Sequence, residues 1–199
     1  GNESPLSNIA NVNYNFAGIL NLTVVMEGFY NSVSNNMSLS DTAVVYLRNS
    51  GSPYAVVDSS KAVINSNTFT GSFKIFNAAT GNYYIEIRHR NTIETWSSTA
   101  VSYTALSTIN YNFSNMSTKA FGNNQIQVDA SPVRFAIYSG DVNQDGTIDL
   151  SDGSLIDNDA FNFASGYLST DVNGDGIVDV ADAVFVDNNG FNFVSKITP

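Results

Sequence analysis

Gly140 to Ser165 reads GDVNQDGTIDLSDGSLIDNDAFNFAS, and Thr170 to Ser195 reads TDVNGDGIVDVADAVFVDNNGFNFVS. The two stretches superpose with a constant offset, and about half of their positions are identical. Among these are Asp141/Asp171, Asn143/Asn173, Asp145/Asp175, Gly146/Gly176, Asp149/Asp179, Asp152/Asp182 and the Phe-Asn-Phe endings. A short period repeated twice predicts two copies of one supersecondary unit packed against each other.

Each copy opens with oxygen-bearing side chains at loop positions 1, 3, 5, 9 and 12 and a glycine at position 6, the spacing by which a loop wraps a calcium ion. Loop one offers Asp141, Asn143, Asp145, Asp149 and Asp152 around Gly146; loop two offers Asp171, Asn173, Asp175, Asp179 and Asp182 around Gly176. Position 7 contributes a backbone carbonyl, so Thr147 and Ile177 serve equally. Because every ligand is a hard oxygen, calcium is favoured over zinc, and two ions are expected. Ile148 and Val178, apolar and β-branched at position 8, are expected to pair the two loops edge to edge.

The charge pattern agrees with a cation. Residues 1–139 hold seven acids and seven bases, whereas residues 140–199 hold eleven aspartates and one base, Lys196, so the whole net charge of −10 lies in the last part. Self-repulsion of that size opposes compactness without a counter-charge. The shift marks an expected boundary between residues 1–139 and 140–199.

A loop followed by one helix, duplicated, with Asp at position 12, resembles a dockerin. The resemblance covers Gly140 to about Phe193. It implies a calcium ion in each loop and two antiparallel helices, about Leu150–Asn158 and Val180–Asn188. Their shared core would be Leu150, Leu155, Ile156, Val180, Val184, Phe185 and Val186. Dockerins attach extracellular enzymes to scaffolds by binding cohesins, usually with basic residues late in the helix. Here those places hold Asp157, Asn158, Asp159, Asp187, Asn188 and Asn189, so the calcium chemistry carries over and the cohesin partner does not. The Phe-Asn-Phe segments are expected to anchor the calcium module onto its neighbour.

Residues 1–139 alternate with period two between turn signals, which predicts many short strands and an antiparallel β-sandwich. Strands are expected at Leu20–Met26, Ala43–Arg48, Tyr54–Val57, Lys61–Ile64, Phe69–Phe76, Tyr83–Arg90, Thr92–Trp96, Val101–Leu106, Ile109–Phe113, Gln125–Asp129 and Val133–Tyr138, with a further one at Asn11–Phe16 able to join a neighbour's sheet. From Thr42 to Ile87, Gly71-Ser72-Phe73 and Gly81-Asn82-Tyr83-Tyr84-Ile85-Glu86-Ile87 resemble the carboxypeptidase-regulatory and CnaB sandwiches of the transthyretin-like group. That resemblance implies a rigid, Ig-like stalk, with glycine opening a hairpin and the aromatic entering the core. The fold class expected is thus mostly β, a sandwich followed by a small α-helical pair of calcium loop-helix units.

Several functions are excluded or disfavoured. The acidic balance argues against nucleic acid and anionic membranes, no apolar run is long enough to span a membrane, and the absence of cysteine removes disulfides and thiolate chemistry. No nucleophile elbow, phosphate-binding glycine loop or carboxylate pair points to catalysis, so no enzyme is expected. With few charges and many Asn, Ser and Thr, the composition suits a secreted bacterial or cell-surface protein. The expected function is calcium-dependent attachment to a protein partner or self-assembly. The alternative is a calcium-stabilised carbohydrate-binding module, in which Trp96 with Arg88, Arg90 and Glu94 would meet a sugar. A flat row of exposed Tyr and Trp would favour it; a buried Trp96 would favour a structural role for this cluster.

Overall fold

The structure, a computed structural model, describes residues 17–199; the strand expected at Asn11–Phe16 lies outside them. Two sheets enclose the larger apolar core. One runs in the order β10 (Thr108–Asn112), β1 (Gly18–Thr23), β6 (Thr70–Ile75). The other runs β5 (Val56–Ile64), β4 (Asp41–Asn49), β7 (Gly81–Arg88), β8 (Thr95–Trp96), with β9 (Val101–Tyr103) also on β7. The alternation that predicted strands sets their faces: Leu20 and Leu22 of β1, Ala43, Val45 and Leu47 of β4, Phe73 and Ile75 of β6, and Tyr83, Ile85 and Ile87 of β7 all enter one buried cluster. Their neighbours in sequence, such as Asn21, Tyr46 and Arg48, face outward. Two small hairpins, β2 (Tyr30–Asn31) with β3 (Asn36–Met37) and β11 (Ile126–Ala130) with β12 (Val133–Ala136), complete the strands among the described residues.

Several expectations are corrected. Tyr54–Val57 and Lys61–Ile64 are not two strands, because β5 runs unbroken through Asp58-Ser59-Ser60. That polar stretch is a tie: the buried Asp58 carboxylate accepts the backbone N–H of Phe76 (2.7 Å) and Asn77 (2.6 Å), fixing the end of β6. The glycine-aromatic motifs of β6 and β7 do send Phe73 and Tyr83 into the core, but they lie in different sheets, so Gly81 opens no hairpin between them. One ladder of the sandwich, β1 with β10, is parallel. The β2/β3 hairpin went unforeseen.

In the tail, α1 spans Leu150–Phe161 and α2 spans Val180–Phe191; both start where expected and run three residues further at the C-terminal end. The start of α1 lies beside the end of α2: a Cβ on Gly153 would stand 3.7 Å from Val186. The shared core differs from the expected one. Ile156 and Val186 are buried, but Leu150, Leu155, Val180 and Val184 are exposed. Their places are taken by loop residues Val142, Ile148, Val172 and Val178, by Val194, and by Ile93 from the sandwich. A short loop-helix pair has too little apolar surface of its own to close a core, and Ile93 supplies part of the deficit.

The tail sits directly on the sandwich. Gly28 packs against the Val172 carbonyl so closely that a Cβ would lie 2.2 Å from its oxygen, and Gly174, at φ +72, meets Leu39, Ser38 and Phe29. Polar ties cross the same junction: Asn189 Nδ2 donates to Glu27 Oε2 (2.7 Å) and to the Ser139 carbonyl (2.8 Å), and Ser38 Oγ donates to the Asn173 carbonyl (2.8 Å). Burial pushes the Glu27 carboxyl up, against the hydrogen bonds from Ser139 and Asn189.

Candidate metal centre

Each loop is built by turns in which a side chain accepts the backbone N–H two residues ahead. In loop one Asn143 Oδ1 accepts Asp145 N–H (2.8 Å) and Asp145 Oδ1 accepts Thr147 N–H (2.9 Å); in loop two Asn173 and Asp175 do the same for Asp175 (2.8 Å) and Ile177 (2.9 Å). Asx turns of this kind explain why the sequence alternates Asp and Asn here. Gly146 and Gly176 stand at φ +92 and +85, a left-handed geometry glycine adopts without penalty.

The position-12 carboxylates close each loop onto its helix. Asp152 accepts Val142 N–H (2.9 Å), Asn143 N–H (3.1 Å) and Asp149 N–H (3.0 Å); Asp182 accepts Val172, Asn173 and Asp179 N–H at 2.7, 2.9 and 2.9 Å. Asp149 and Asp179 are the N-caps of α1 and α2, each forming a capping box with the following aspartate. The negative charge also suits the positive end of the helix dipole.

The structure thus gathers Asp141, Asn143, Asp145 and Asp152 in one loop and Asp171, Asn173, Asp175 and Asp182 in the other. Asp149 and Asp179 are turned to their helices. Among the described residues no group of three or more His, Cys, Asp or Glu side chains is arranged by itself to hold a metal ion. The loops offer a mixed set instead, in which carboxylates, one carboxamide and one carbonyl alternate.

Among the loop side chains, the position-1 carboxylates hold buried oxygens without partners among the described residues. Asp141 Oδ1 and Asp171 Oδ1 are buried with no hydrogen bond among the described residues. Such atoms are costly unless a ligand satisfies them. Burial, with the nearby charges of Asp152 and Asp145, pushes the Asp141 carboxyl up to about 7; burial also raises Asp152 and Asp182. Orphaned, crowded carboxylate oxygens fit a bound cation.

Ile148 and Val178 do not pair the loops with each other. Each loop is instead clasped by the end of the other repeat. Ile148 N–H donates to Val194 O (2.9 Å) and Lys196 N–H to Gly146 O (2.8 Å); Val178 N–H donates to Ala164 O (3.0 Å) and Gly166 N–H to Gly176 O (2.8 Å). These bonds use the carbonyls of Gly146 and Gly176, leaving those of Thr147 and Ile177 outside the clasp.

The Phe-Asn-Phe segments do not anchor the tail to the sandwich. Phe161, Phe163, Phe191 and Phe193 are 82%, 91%, 84% and 88% exposed. Both helices end in a Schellman turn: Ala164 N–H reaches Asp159 O (2.9 Å) and Val194 N–H reaches Asn189 O (3.0 Å). This turn places Phe163 and Phe193 at φ +53 and +54, where glycine is the usual occupant. Phe191 and Phe193, with Leu150, also rim a groove of about 590 Å³ between the start of α1 and the end of α2. The sequence offered a signal for this face, since both aromatics of each segment recur at the same offset as the loops.

The cluster around Trp96 is structural. Trp96 is buried and donates from Nε1 to Glu94 Oε1 (2.6 Å), and the buried Glu86 is paired by both Arg48 and Arg88. Tyr54, Tyr84 and Trp96 meet edge to face rather than in a flat row. Arg90, which sequence reasoning grouped with this cluster, points elsewhere and reaches Asp171 of loop two.

No protein-family model matches the chain, and no curated protein matches it. Two similar solved structures are crystal structures of interface mutants of a type II cohesin–X-dockerin complex from Acetivibrio cellulolyticus. A chain of the C-terminal interface mutant is 18% identical, with 90% of this chain and 97% of that chain covered and a TM-score of 0.50. For the N-terminal interface mutant the identity is 19%, the coverage 91% and 95%, and the TM-score 0.44. At 18% identity the first likeness is one of fold, and the fold it shares is a mostly β chain built of sheets.

Proposed function

We propose that this chain is a calcium-dependent attachment module of an extracellular, cell-surface assembly, in which a β-sandwich carries a dockerin-like pair of calcium units that bind a protein partner. The observation that carries the reading is the pair of exposed, left-handed phenylalanines, Phe163 and Phe193. A non-glycine residue in that conformation costs about 1–2 kcal/mol, and neither ring recovers the cost by burial among the described residues. Folding alone would favour glycine at both positions; a surface that binds through aromatic rings gives them a use.

Calcium would be held in loop one by Asp141, Asn143, Asp145, the Thr147 carbonyl and Asp152, and in loop two by Asp171, Asn173, Asp175, the Ile177 carbonyl and Asp182. Asp149 and Asp179 at position 9 would act through water, as that position often does. When bound, calcium neutralises carboxylates that otherwise repel one another and so holds both helices in place. The rest is done by the chain. The clasp closes each loop, the capping boxes tie loop to helix, and the Schellman turns present the rings. The cohesin–X-dockerin complexes in which the similar fold occurs support a protein partner. The division at residue 139/140 belongs to this proposal, with a partner surface on the acidic side of the junction.

Native mass spectrometry in millimolar calcium should count two bound ions, and a count of zero would overturn the calcium reading. Titration calorimetry against a panel of type II cohesins, and sedimentation of the chain alone, should show binding or self-association that calcium supports. Phe163→Ser with Phe193→Ser should abolish it. Association unchanged in that double variant would overturn the assignment of the surface.

A further inference from the structure

The two loops match in sequence but not in surroundings. In loop one Asp141 Oδ2 accepts Gly146 N–H (3.2 Å), and among the described residues no basic group forms an ion pair with this carboxylate. The aliphatic stem of Lys196 runs over Gly146, but its ammonium makes no ion pair within the described residues. In loop two the corresponding oxygen, Asp171 Oδ2, faces Arg90 Nη2 at 3.5 Å.

Arg90 belongs to the sandwich, just beyond β7, and it is held from several sides. Its Nη1 donates to the Asp171 carbonyl (3.0 Å), which Asn91 Nδ2 also contacts (2.9 Å), and its Nε donates to Asp41 Oδ2 (2.9 Å). The guanidinium carbon lies 4.6 Å from the Tyr167 ring centre and 5.4 Å from that of Phe29. Asp41 is in turn fixed by His89 Nε2 (3.0 Å) and the Tyr167 hydroxyl (2.7 Å). The guanidinium therefore cannot swing away, and its Nη2 is buried without a hydrogen bond among the described residues. Asp41 neutralises it only on the far, Nε side.

We infer that Arg90 makes the two calcium loops unequal, so that loop two is the weaker site and fills second, because a fixed positive charge from the sandwich already faces its position-1 carboxylate. The inference rests on the calcium reading above. A unit charge held at contact range of a divalent site is worth roughly tenfold in affinity even with water-like screening. Calcium then fills loop one at lower concentration. Filling of loop two is the step that the sandwich governs.

Calorimetry on the full chain tests this, with calcium as the titrant. Asp171→Asn isolates loop one and Asp141→Asn isolates loop two, and the constant measured for loop two is expected to be at least tenfold weaker. Arg90→Gln should tighten loop two about tenfold and leave loop one unchanged, whereas Arg90→Lys, which keeps the charge, should preserve the inequality. Equal constants in the two single-loop variants, or a loop-two constant unmoved by Arg90→Gln, would overturn the inference while leaving the calcium reading intact. Should Arg90→Gln not fold, the comparison of the two single-loop variants decides alone. No calcium bound to either loop would overturn the calcium reading and the inference with it.

Discussion

Replacing Gly28 by alanine tests how firmly the tail is seated on the sandwich. The added Cβ would stand 2.2 Å from the Val172 carbonyl oxygen, 3.1 Å from its carbon and 3.2 Å from Val172 Cγ1, where ordinary contact begins at 3.4 Å. Two of the three atoms are backbone, so no side chain can rotate out of the way. The tail would have to withdraw by about 1 Å, stretching the buried bond from Asn91 Nδ2 to the Asp171 carbonyl. Overpacking of this kind costs about 1–3 kcal/mol, and a weakened buried hydrogen bond adds about 1 kcal/mol. The expected loss is about 2–4 kcal/mol, or roughly 5–15 °C in Tm for a chain of this size. Urea unfolding followed by circular dichroism measures it. Gly51→Ala, where a Cβ meets nothing within 4 Å, serves as the control and should stay within about 0.5 kcal/mol of the parent. If Gly28→Ala unfolds at the same urea concentration as Gly51→Ala, the close seating of the two parts is refuted.

Ile93→Ala removes a fully buried sandwich residue from the tail's core and should cost about 2–5 kcal/mol; tail and sandwich signals that remain coincident and unshifted in thermal unfolding would contradict it. Phe163→Gly and Phe193→Gly relieve a left-handed phenylalanine and should each raise stability by about 0.5–1 kcal/mol, read from urea midpoints, while weakening partner binding. In chelator, stability should fall as pH rises from about 4 to about 7. The folded chain keeps a proton on Asp141, whose carboxyl is pushed up to about 7, and the unfolded chain releases it near 3.9. Glu27, Asp152 and Asp182, also raised, act in the same direction, and Asp41, held low by its hydrogen bonds against the effect of burial, matters only below that window. Urea midpoints at pH 5 and pH 7.5 that coincide would refute the assignment.

The strands of the sandwich were legible because half-buried strands write their two faces into alternate residues; Ala43, Val45 and Leu47 against Val44, Tyr46 and Arg48 need no tertiary knowledge to sort. The loop residues were legible for a similar local reason, since Asp145 and Gly146 perform turn chemistry with partners two to five residues away. What failed was non-local. Nothing in α1 says that Leu150 is exposed and Ile156 buried, because that depends on Val142, Ile148 and Ile93 having already filled the space. The helix ends expected near Asn158 and Asn188 fall short because the Schellman turns that stop the helices lie after Phe161 and Phe191. Arg90 was visible as a charge, but its partner lies 81 residues away across the junction.

The crossed clasp has a consequence for how such a tail can arise and be taken apart. Neither repeat closes its own loop: the strand-like end at Val194 and Lys196 serves residues 146–148, and the one at Ala164 and Gly166 serves residues 176–178. A lone repeat would carry an open backbone edge and an unused closing segment, which a second copy would complete. The self-sufficient unit is therefore a pair, whether or not residues 167–169 join its halves covalently. A chain nicked in that connection should stay together as two complementing fragments. By the same geometry, the tail has the form of a two-fold homodimer whose subunits have been fused into one chain.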